Sequence, residues 1–78
     1  MIPESVIKDQ KRSIGKLCQD TRILARKWTV YQAEEASGLQ GTQIKAIETG
    51  DKDYTIGSLL KYTNALGITI DLLYRPKV

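Results

Sequence analysis

The residues whose types and spacing could do chemistry lie in the stretch between Gly38 and Gly50. The polar side chains at its start end in amide, hydroxyl and ammonium groups; they are Gln40, Thr42, Gln43 and Lys45. Glutamine can form two hydrogen bonds with adenine, lysine can donate to guanine, and a threonine methyl can contact a thymine methyl. The chemistry that this set predicts is the reading of base edges in DNA. The alternative is that these are ordinary polar residues of a solvated helix.

Residues suited to catalysis or metal binding are scarce. The 78 residues include one cysteine, Cys18, and no histidine, so neither an internal disulfide nor a Cys/His zinc site can form. The sequence has no phosphate-cradling glycine loop and no nucleophile with a base beside it. We therefore expect no catalytic residues, no metal and no cofactor, and a protein that is not an enzyme.

The charge of the chain suits a polyanionic partner. The net charge is +3 with a pI near 9.1, and seven of the twelve basic residues precede residue 28: Lys8, Lys11, Arg12, Lys16, Arg22, Arg26 and Lys27. Such an excess favours DNA as the partner, although a basic run is also typical of a solvated helix face. No apolar stretch is long enough for a membrane span or a signal peptide, so we expect a cytoplasmic protein without membrane contact.

The elements that must position these residues are mostly helices. The apolar spacing predicts a helix from about residue 5, with a clear helical period over residues 13–26. A glycine in a helix interior, here Gly15, is less favourable than alanine by about 1 kcal/mol, so a break near residues 10–13 is an alternative. Thr29 is a good N-cap for a short helix over 30–37.

Two more helices and a strand complete the prediction. A helix over residues 40–49 ends at a glycine, and Thr55 begins an amphipathic helix that ends at Gly67. From Ile68 the apolar residues alternate with polar ones, which predicts a strand of about five to seven residues. A single strand needs a partner for its backbone hydrogen bonds. The partner is either a second copy or the chain's own core.

Several motifs occur in the order found in a known family. I-G-K-L opens the first helix, Arg22 follows, W-T precedes the second helix, S-G-L forms the turn, and I-K-A-I-E-T-G and L-L-x-x-x-x-A-L-G come after it. Over residues 13–67 the chain resembles the Cro/lambda-repressor-like (XRE) helix-turn-helix family. The resemblance implies an all-α, lambda-repressor-like bundle of four to five helices. Residues 1–12 are then an N-terminal extension or the start of helix 1, and residues 68–78 a C-terminal strand and tail.

The resemblance also implies a function and a set of site residues. It implies a sequence-specific, double-stranded DNA-binding transcriptional regulator, a repressor, that inserts helix 40–49 into the major groove. The positions implied to read bases are Gln40, Gly41, Thr42, Gln43, Lys45 and Ala46. The positions expected to contact phosphates are Thr29, Tyr31, Thr49, Lys52 and Tyr54. For Tyr54, a place at the edge of the core is an equal alternative.

Three local features of the resemblance concern the first two helices. The family pairs the acid at Glu48 with the arginine at Arg22, which implies an ion pair that orients the recognition helix. From Arg22 to Thr29 the chain has one residue more than the commonest spacing, so either the first loop is longer or the second helix is out of register. Val30 and Glu34 stand where glutamine and alanine are usual.

The I-T-I-D-L-L-Y segment resembles the tail of antitoxin-type members, whose terminal strands pair across a dimer axis. This resemblance implies a homodimer on a palindromic operator, with recognition helices about 34–36 Å apart. The implied dimer interface consists of Leu66, Ile68, Ile70 and Leu72. The alternative function is that of an antitoxin, which binds a toxin protein and regulates its own operon.

Overall fold

The computed structural model describes residues 3–69, and this part of the chain is all-α, as the sequence predicts. The helices are α1 (Glu4–Asp20), α2 (Val30–Ser37), α3 (Gly41–Thr49) and α4 (Ile56–Leu66). A π-helical turn (Thr21–Ala25) continues α1. Between residues 3 and 69 no residue lies in a β-strand.

Helix α1 is continuous, so a break near residues 10–13 does not occur. Its interior glycine, Gly15, is explained by packing. A Cβ atom at Gly15 would overlap the backbone oxygens of Ile47 and Glu48, because the last turn of α3 lies directly against the helix. The loss of helix propensity at glycine is thus offset by the close approach of two backbones.

The π-helical turn bears on the extra residue between Arg22 and Thr29. The Arg26 N–H donates to the Thr21 carbonyl at 2.9 Å, the i→i+5 bond that defines a π turn. Such a turn holds more residues than an α turn, which accommodates the extra residue. Lys27 then takes a left-handed conformation, with φ of 57°, and α2 begins at its predicted place.

The ends of the short helices match their sequence signals. Thr29 and Thr55 each accept a backbone N–H through the side-chain hydroxyl, at 3.2 and 3.1 Å. The first residue past each of α2, α3 and α4 is a glycine, with φ of 76°, 70° and 82° in that order. At Gly67 the Ile68 N–H also donates to the Thr63 carbonyl at 2.9 Å, which completes a Schellman motif.

The core lies where the four helices meet. Its buried apolar members are Cys18, Ala33, Leu39, Ile44, Ile47, Leu59, Tyr62 and Leu66. Ile68 packs at its edge, but neither Ile68 nor Thr69 is in a strand. The remainder of the predicted strand, with Ile70 and Leu72, lies outside the described residues.

Candidate functional site

A cleft of about 320 Å³ runs along the exposed side of α3. One wall is α3 itself, and the other is the α3–α4 loop with the first turn of α4. The residues that line it are Thr42, Gln43, Ala46, Lys52, Asp53, Tyr54, Thr55 and Ser58. The structure thus brings three of the candidate base-reading positions and two of the candidate phosphate-binding positions into one site.

Helix α3 is held to the core by one face only. Ile44 and Ile47 are fully buried on that face. Thr42, Gln43 and Lys45 are exposed on the other. The apolar contacts anchor the helix, and its polar groups are left available to a ligand.

Gln43 has a structural task as well as an exposed position. Its Oε1 atom accepts the backbone N–H of Gln40 at 2.9 Å, which caps the start of α3. A two-bond contact with adenine needs both the oxygen and the nitrogen of a glutamine amide. In this conformation one lone pair of the Gln43 oxygen is used by the cap, so its N–H groups are the more available to a ligand.

Gly41 and Lys45 differ in what surrounds them. Gly41 is half-buried against α2, where an added Cβ would crowd the Glu34 carboxylate and approach Val30. The absence of a side chain at Gly41 therefore makes room for Glu34. Lys45 and Gln40 are exposed but do not line the cleft.

The five candidate phosphate-binding residues fall into two groups. Thr29 and Thr49 use their hydroxyls within the chain, Thr29 as the cap of α2 and Thr49 in a 2.8 Å bond to the Lys45 carbonyl. Lys52 and Tyr31 are exposed, and Tyr54 is half-buried beside the core. Lys52 combines exposure with a position in the cleft.

The α3–α4 loop is tied to α1 by a lysine. The Lys11 ammonium lies 2.9 Å from the Asp53 carboxylate and 5.6 Å from the centre of the Tyr54 ring. The hydrogen bond and charge of Lys11 lower the pKa of Asp53. Burial raises the pKa of the Tyr54 hydroxyl, against the opposing effect of Lys11. Tyr54 packs at the edge of the core, as one alternative predicts, and it also lines the cleft.

Thr55 and Ser58 lie in the cleft, although the sequence indicated Thr55 only as a helix cap. Their hydroxyls are 2.9 Å apart, and the Ser58 N–H donates to the Thr55 hydroxyl. The N-terminus of α4 therefore borders the cleft, and the helix dipole places partial positive charge there.

A buried polar network lies behind α3. Arg22 donates from Nε to Glu48 Oε2 at 2.8 Å and from Nη2 to Oε1 at 3.2 Å. Arg22 also donates from Nη1 to the Trp28 carbonyl at 2.9 Å. The Tyr62 hydroxyl donates to Glu48 Oε2. The structure thus brings together the two residues that the resemblance pairs, and it adds Tyr62, which the sequence analysis did not single out.

The network alters the ionisation of its members. The hydrogen bond to Glu48 raises the pKa of Arg22. The pKa of Tyr62 is raised mainly by burial and also by its hydrogen bond to Glu48. Burial and the charge of Glu48 also raise the pKa of the Cys18 thiol to about 11. At neutral pH, Arg22 is therefore charged, whereas Cys18 and Tyr62 are neutral.

The candidate dimer residues are placed only in part. Leu66 is 2% exposed within the single chain, so it has little surface to offer a second copy. Its carbonyl accepts a bond from Arg26 Nε at 3.1 Å, and the Arg26 guanidinium lies 5.6 Å from the Trp28 ring centre. Ile68 is half-buried at the core edge.

Over the described range, 3–69, no group of three or more His, Cys, Asp or Glu side chains is arranged to bind a metal ion. None of the helices in this range is both long and apolar enough to cross a membrane. No family model, no curated protein and no solved structure matches this chain.

Proposed function

We propose that this protein is a sequence-specific, double-stranded DNA-binding transcriptional regulator, a repressor, that inserts α3 into the major groove. The observation that carries the proposal is the cleft beside α3. It joins exposed polar side chains of one short helix to a lysine and a helix N-terminus across a gap. DNA presents the matching groups: base edges that polar side chains can read, and neighbouring phosphates that a lysine and a helix N-terminus can bind.

The arrangement of α2 and α3 supports a helix-turn-helix of the lambda-repressor type. Gly38 in the left-handed conformation turns the chain between α2 and α3, and Leu39 in the turn is buried. In such motifs the second helix enters the major groove with its N-terminal residues nearest the bases. The exposed residues at this end of α3 are its N-cap, Gln40, and Thr42 and Gln43 of its first turn.

The proposal divides the contacts into two kinds. Thr42, Gln43 and Lys45 read base edges, Gln43 through its N–H groups. Lys52, with the first amides of α4, binds the phosphates next to the bases, and Tyr31 at the start of α2 binds phosphates on the other side of the turn. The bond from Lys11 to Asp53 reduces the repulsion between that acid and the DNA backbone.

The sequence pattern of residues 68–78 completes the proposal with a homodimer. Two copies related by a two-fold axis present two α3 helices to a palindromic operator. Such a regulator works beside its DNA, in the cytoplasm, and carries out no catalysis of its own.

The test is selection from a pool of random DNA duplexes by the purified protein at physiological salt, followed by sequencing. We expect a palindromic consensus whose half-sites are about 10 base pairs apart, or a multiple of that spacing. Retention of DNA without enrichment of any sequence would reject the proposal. That result would favour the antitoxin alternative, which a search for a bound toxin protein would then address.

A further inference from the structure

Tyr62 attaches the recognition helix to α4. Its side chain is fully buried, and its hydroxyl donates to the same oxygen of Glu48 that receives the Arg22 Nε. Glu48 lies in the last turn of α3. One carboxylate therefore receives bonds from the end of the first helix and from the middle of α4.

The two attachments restrain α3 more than either does alone. Apolar contacts of Ile44 and Ile47 hold the helix to the core but have no preferred direction. Hydrogen bonds are directional and weaken steeply as the angle departs from linear. Because Arg22 and Tyr62 approach Glu48 from different elements, a rotation of α3 about its axis breaks the geometry of at least one of these bonds.

We propose that Tyr62 is a positioning residue that sets the orientation of α3 and, through it, the preference of the protein for one DNA sequence. The effect on sequence preference rests on the proposed function. Glu48 is buried behind α3, while Thr42 and Gln43 are exposed on its front. A small rotation that relaxes Glu48 moves these front side chains in the opposite direction. Binding sites lose selectivity when their groups deviate by roughly 0.5 Å or 10–20°.

The test compares two variants that each remove one buried hydroxyl from α4. Tyr62→Phe keeps the ring and removes the bond to Glu48. Thr63→Val is the matched control. Thr63 is 1% exposed, and its hydroxyl donates to the Leu60 carbonyl of the same helix at 3.2 Å, so its removal does not touch α3. Both variants are also made in a Gly57→Ala background, which we expect to raise helix stability and to keep Tyr62→Phe folded.

The first measurement uses the free protein and does not involve DNA. In Tyr62→Phe we expect the amides of α3 to exchange with deuterium about tenfold faster, as expected when a hydrogen bond to a charged group is lost. The amides of α2 should change much less, and Thr63→Val should not affect α3 selectively. Equal acceleration in all helices, or the same pattern in both variants, would overturn the role of Tyr62 in holding α3.

The second measurement is the ratio of affinities for the selected duplex and for one with mismatched half-sites. We expect Tyr62→Phe to lower this ratio about tenfold, and Thr63→Val by less than about threefold. Equal ratios in the two variants would overturn the effect on sequence preference. If the unmodified protein selects no sequence, the proposed function fails, and the exchange measurement alone decides whether Tyr62 holds α3.

Discussion

Glu48 is an acid whose side chain is only 5% exposed, and each of its partners is itself buried. Replacing it with alanine removes the counter-charge of Arg22, which keeps only its bond to the Trp28 carbonyl, and leaves the buried Tyr62 hydroxyl without its acceptor. Removal of one partner of a buried ion pair typically destabilises by about 3–5 kcal/mol. We therefore expect Glu48→Ala to lower the free energy of unfolding by about that amount in urea denaturation.

The matched control for Glu48→Ala is Asp53→Ala, which removes an acid from an exposed ion pair. The Asp53 carboxylate is fully exposed beside Lys11, and exposed pairs contribute little to stability because water and salt screen them. We expect the urea midpoint of Asp53→Ala to stay close to that of the unmodified protein. Similar losses in the two variants would contradict the importance assigned to the buried network.

The Cys18 thiol gives the protein a sensitivity to alkaline pH. Its pKa is raised in the fold from 9.0 to about 11. The thiol therefore stabilises the fold fully below pH 9, and this stabilisation is lost as the pH rises toward 11. Each unit of pH in that window should lower the free energy of unfolding by about 1.4 kcal/mol.

Urea denaturation at several pH values checks the alkaline sensitivity of Cys18. Between about pH 9 and pH 10, Cys18→Ala should make the slope of the unfolding free energy against pH less steep by the amount that corresponds to one bound proton. The pKa of Tyr62 is also raised, from 10.0, so its own contribution declines only above pH 10 and stays in the variant. An unchanged slope in Cys18→Ala would mean that another group titrates in this window.

Replacing Lys45 and replacing Lys52 with alanine should remove different kinds of DNA contact. Lys45→Ala should weaken binding to the selected operator by about 1–3 kcal/mol and affect mismatched DNA less. Lys52→Ala should weaken all sequences alike and lower the slope of log affinity against log salt by about one unit. Lys61→Ala, on the exposed side of α4, serves as the control. An operator preference unchanged in Lys45→Ala would remove that residue from the base-reading set.

Residue types and the family pattern predict some contacts of the network better than others. The family resemblance pairs Arg22 with Glu48, and the structure places them in contact. Tyr62 was predicted neither as a core residue nor as a partner, because the predicted apolar positions of α4 do not include it and a residue type does not show where a hydroxyl points. The cap formed by Gln43 was likewise missed, since it depends on the local backbone at Gln40.

At the scale of the elements, the contact between α1 and α3 depends on Gly15. Alanine is a better helix former by about 1 kcal/mol, which alone would stabilise α1. Its Cβ, however, would overlap backbone oxygens of α3, which cannot move without shifting the whole helix. Because overpacking of this kind usually destabilises by about 1–3 kcal/mol, we expect Gly15→Ala to lower the thermal midpoint.

Gly57→Ala is the matched control for Gly15→Ala. Gly57 lies in the first turn of α4, is exposed, and has only the Thr55 hydroxyl near the position of an added Cβ, at 3.9 Å. The same substitution should therefore stabilise the protein, by about 0.4–1 kcal/mol. Opposite signs at the two glycines, measured by thermal unfolding, would separate packing from helix propensity. A stable Gly15→Ala variant would show that α1 and α3 can move apart.

The helices were largely predictable because their boundaries are written in local residue types. Threonine caps begin two of the helices and glycines end three. The period of apolar positions gave their inward faces only in part, since Ile56 and Leu60 of α4 are exposed and Tyr62 is buried. The π-helical turn was not predicted, because a bond from Arg26 to Thr21 has no residue signature of its own. The extra residue before Thr29 indicated only a longer first loop or a second helix that is out of register.

At the scale of the whole molecule, the cleft beside α3 is a small surface for selecting one sequence among many. Three side chains of α3 can contact only a few base pairs, which is too few for a specific operator. A second copy doubles the number of base pairs read and fixes their spacing. The alternation of Ile68, Ile70 and Leu72 predicts a strand, and a second copy is one of the two partners that such a strand could have.

The last prediction concerns this dimer. In a strand of period two, Ile70 and Thr69 face opposite sides. Aspartate at Ile70 should therefore prevent pairing of two strands across an apolar interface, whereas aspartate at Thr69, which is exposed, should not. Sedimentation should then give a monomer for Ile70→Asp and a dimer for Thr69→Asp.

DNA binding distinguishes loss of the dimer from loss of the fold. A folded monomer keeps its own α3, so Ile70→Asp should still bind a single half-site with the affinity of the unmodified protein. Its binding to the full palindrome should fall to that level and lose its steep dependence on protein concentration, because each half-site is then filled independently. A dimeric Ile70→Asp would place the interface elsewhere on the molecule, and the exposed Leu24 and Tyr31 would be the next residues to replace.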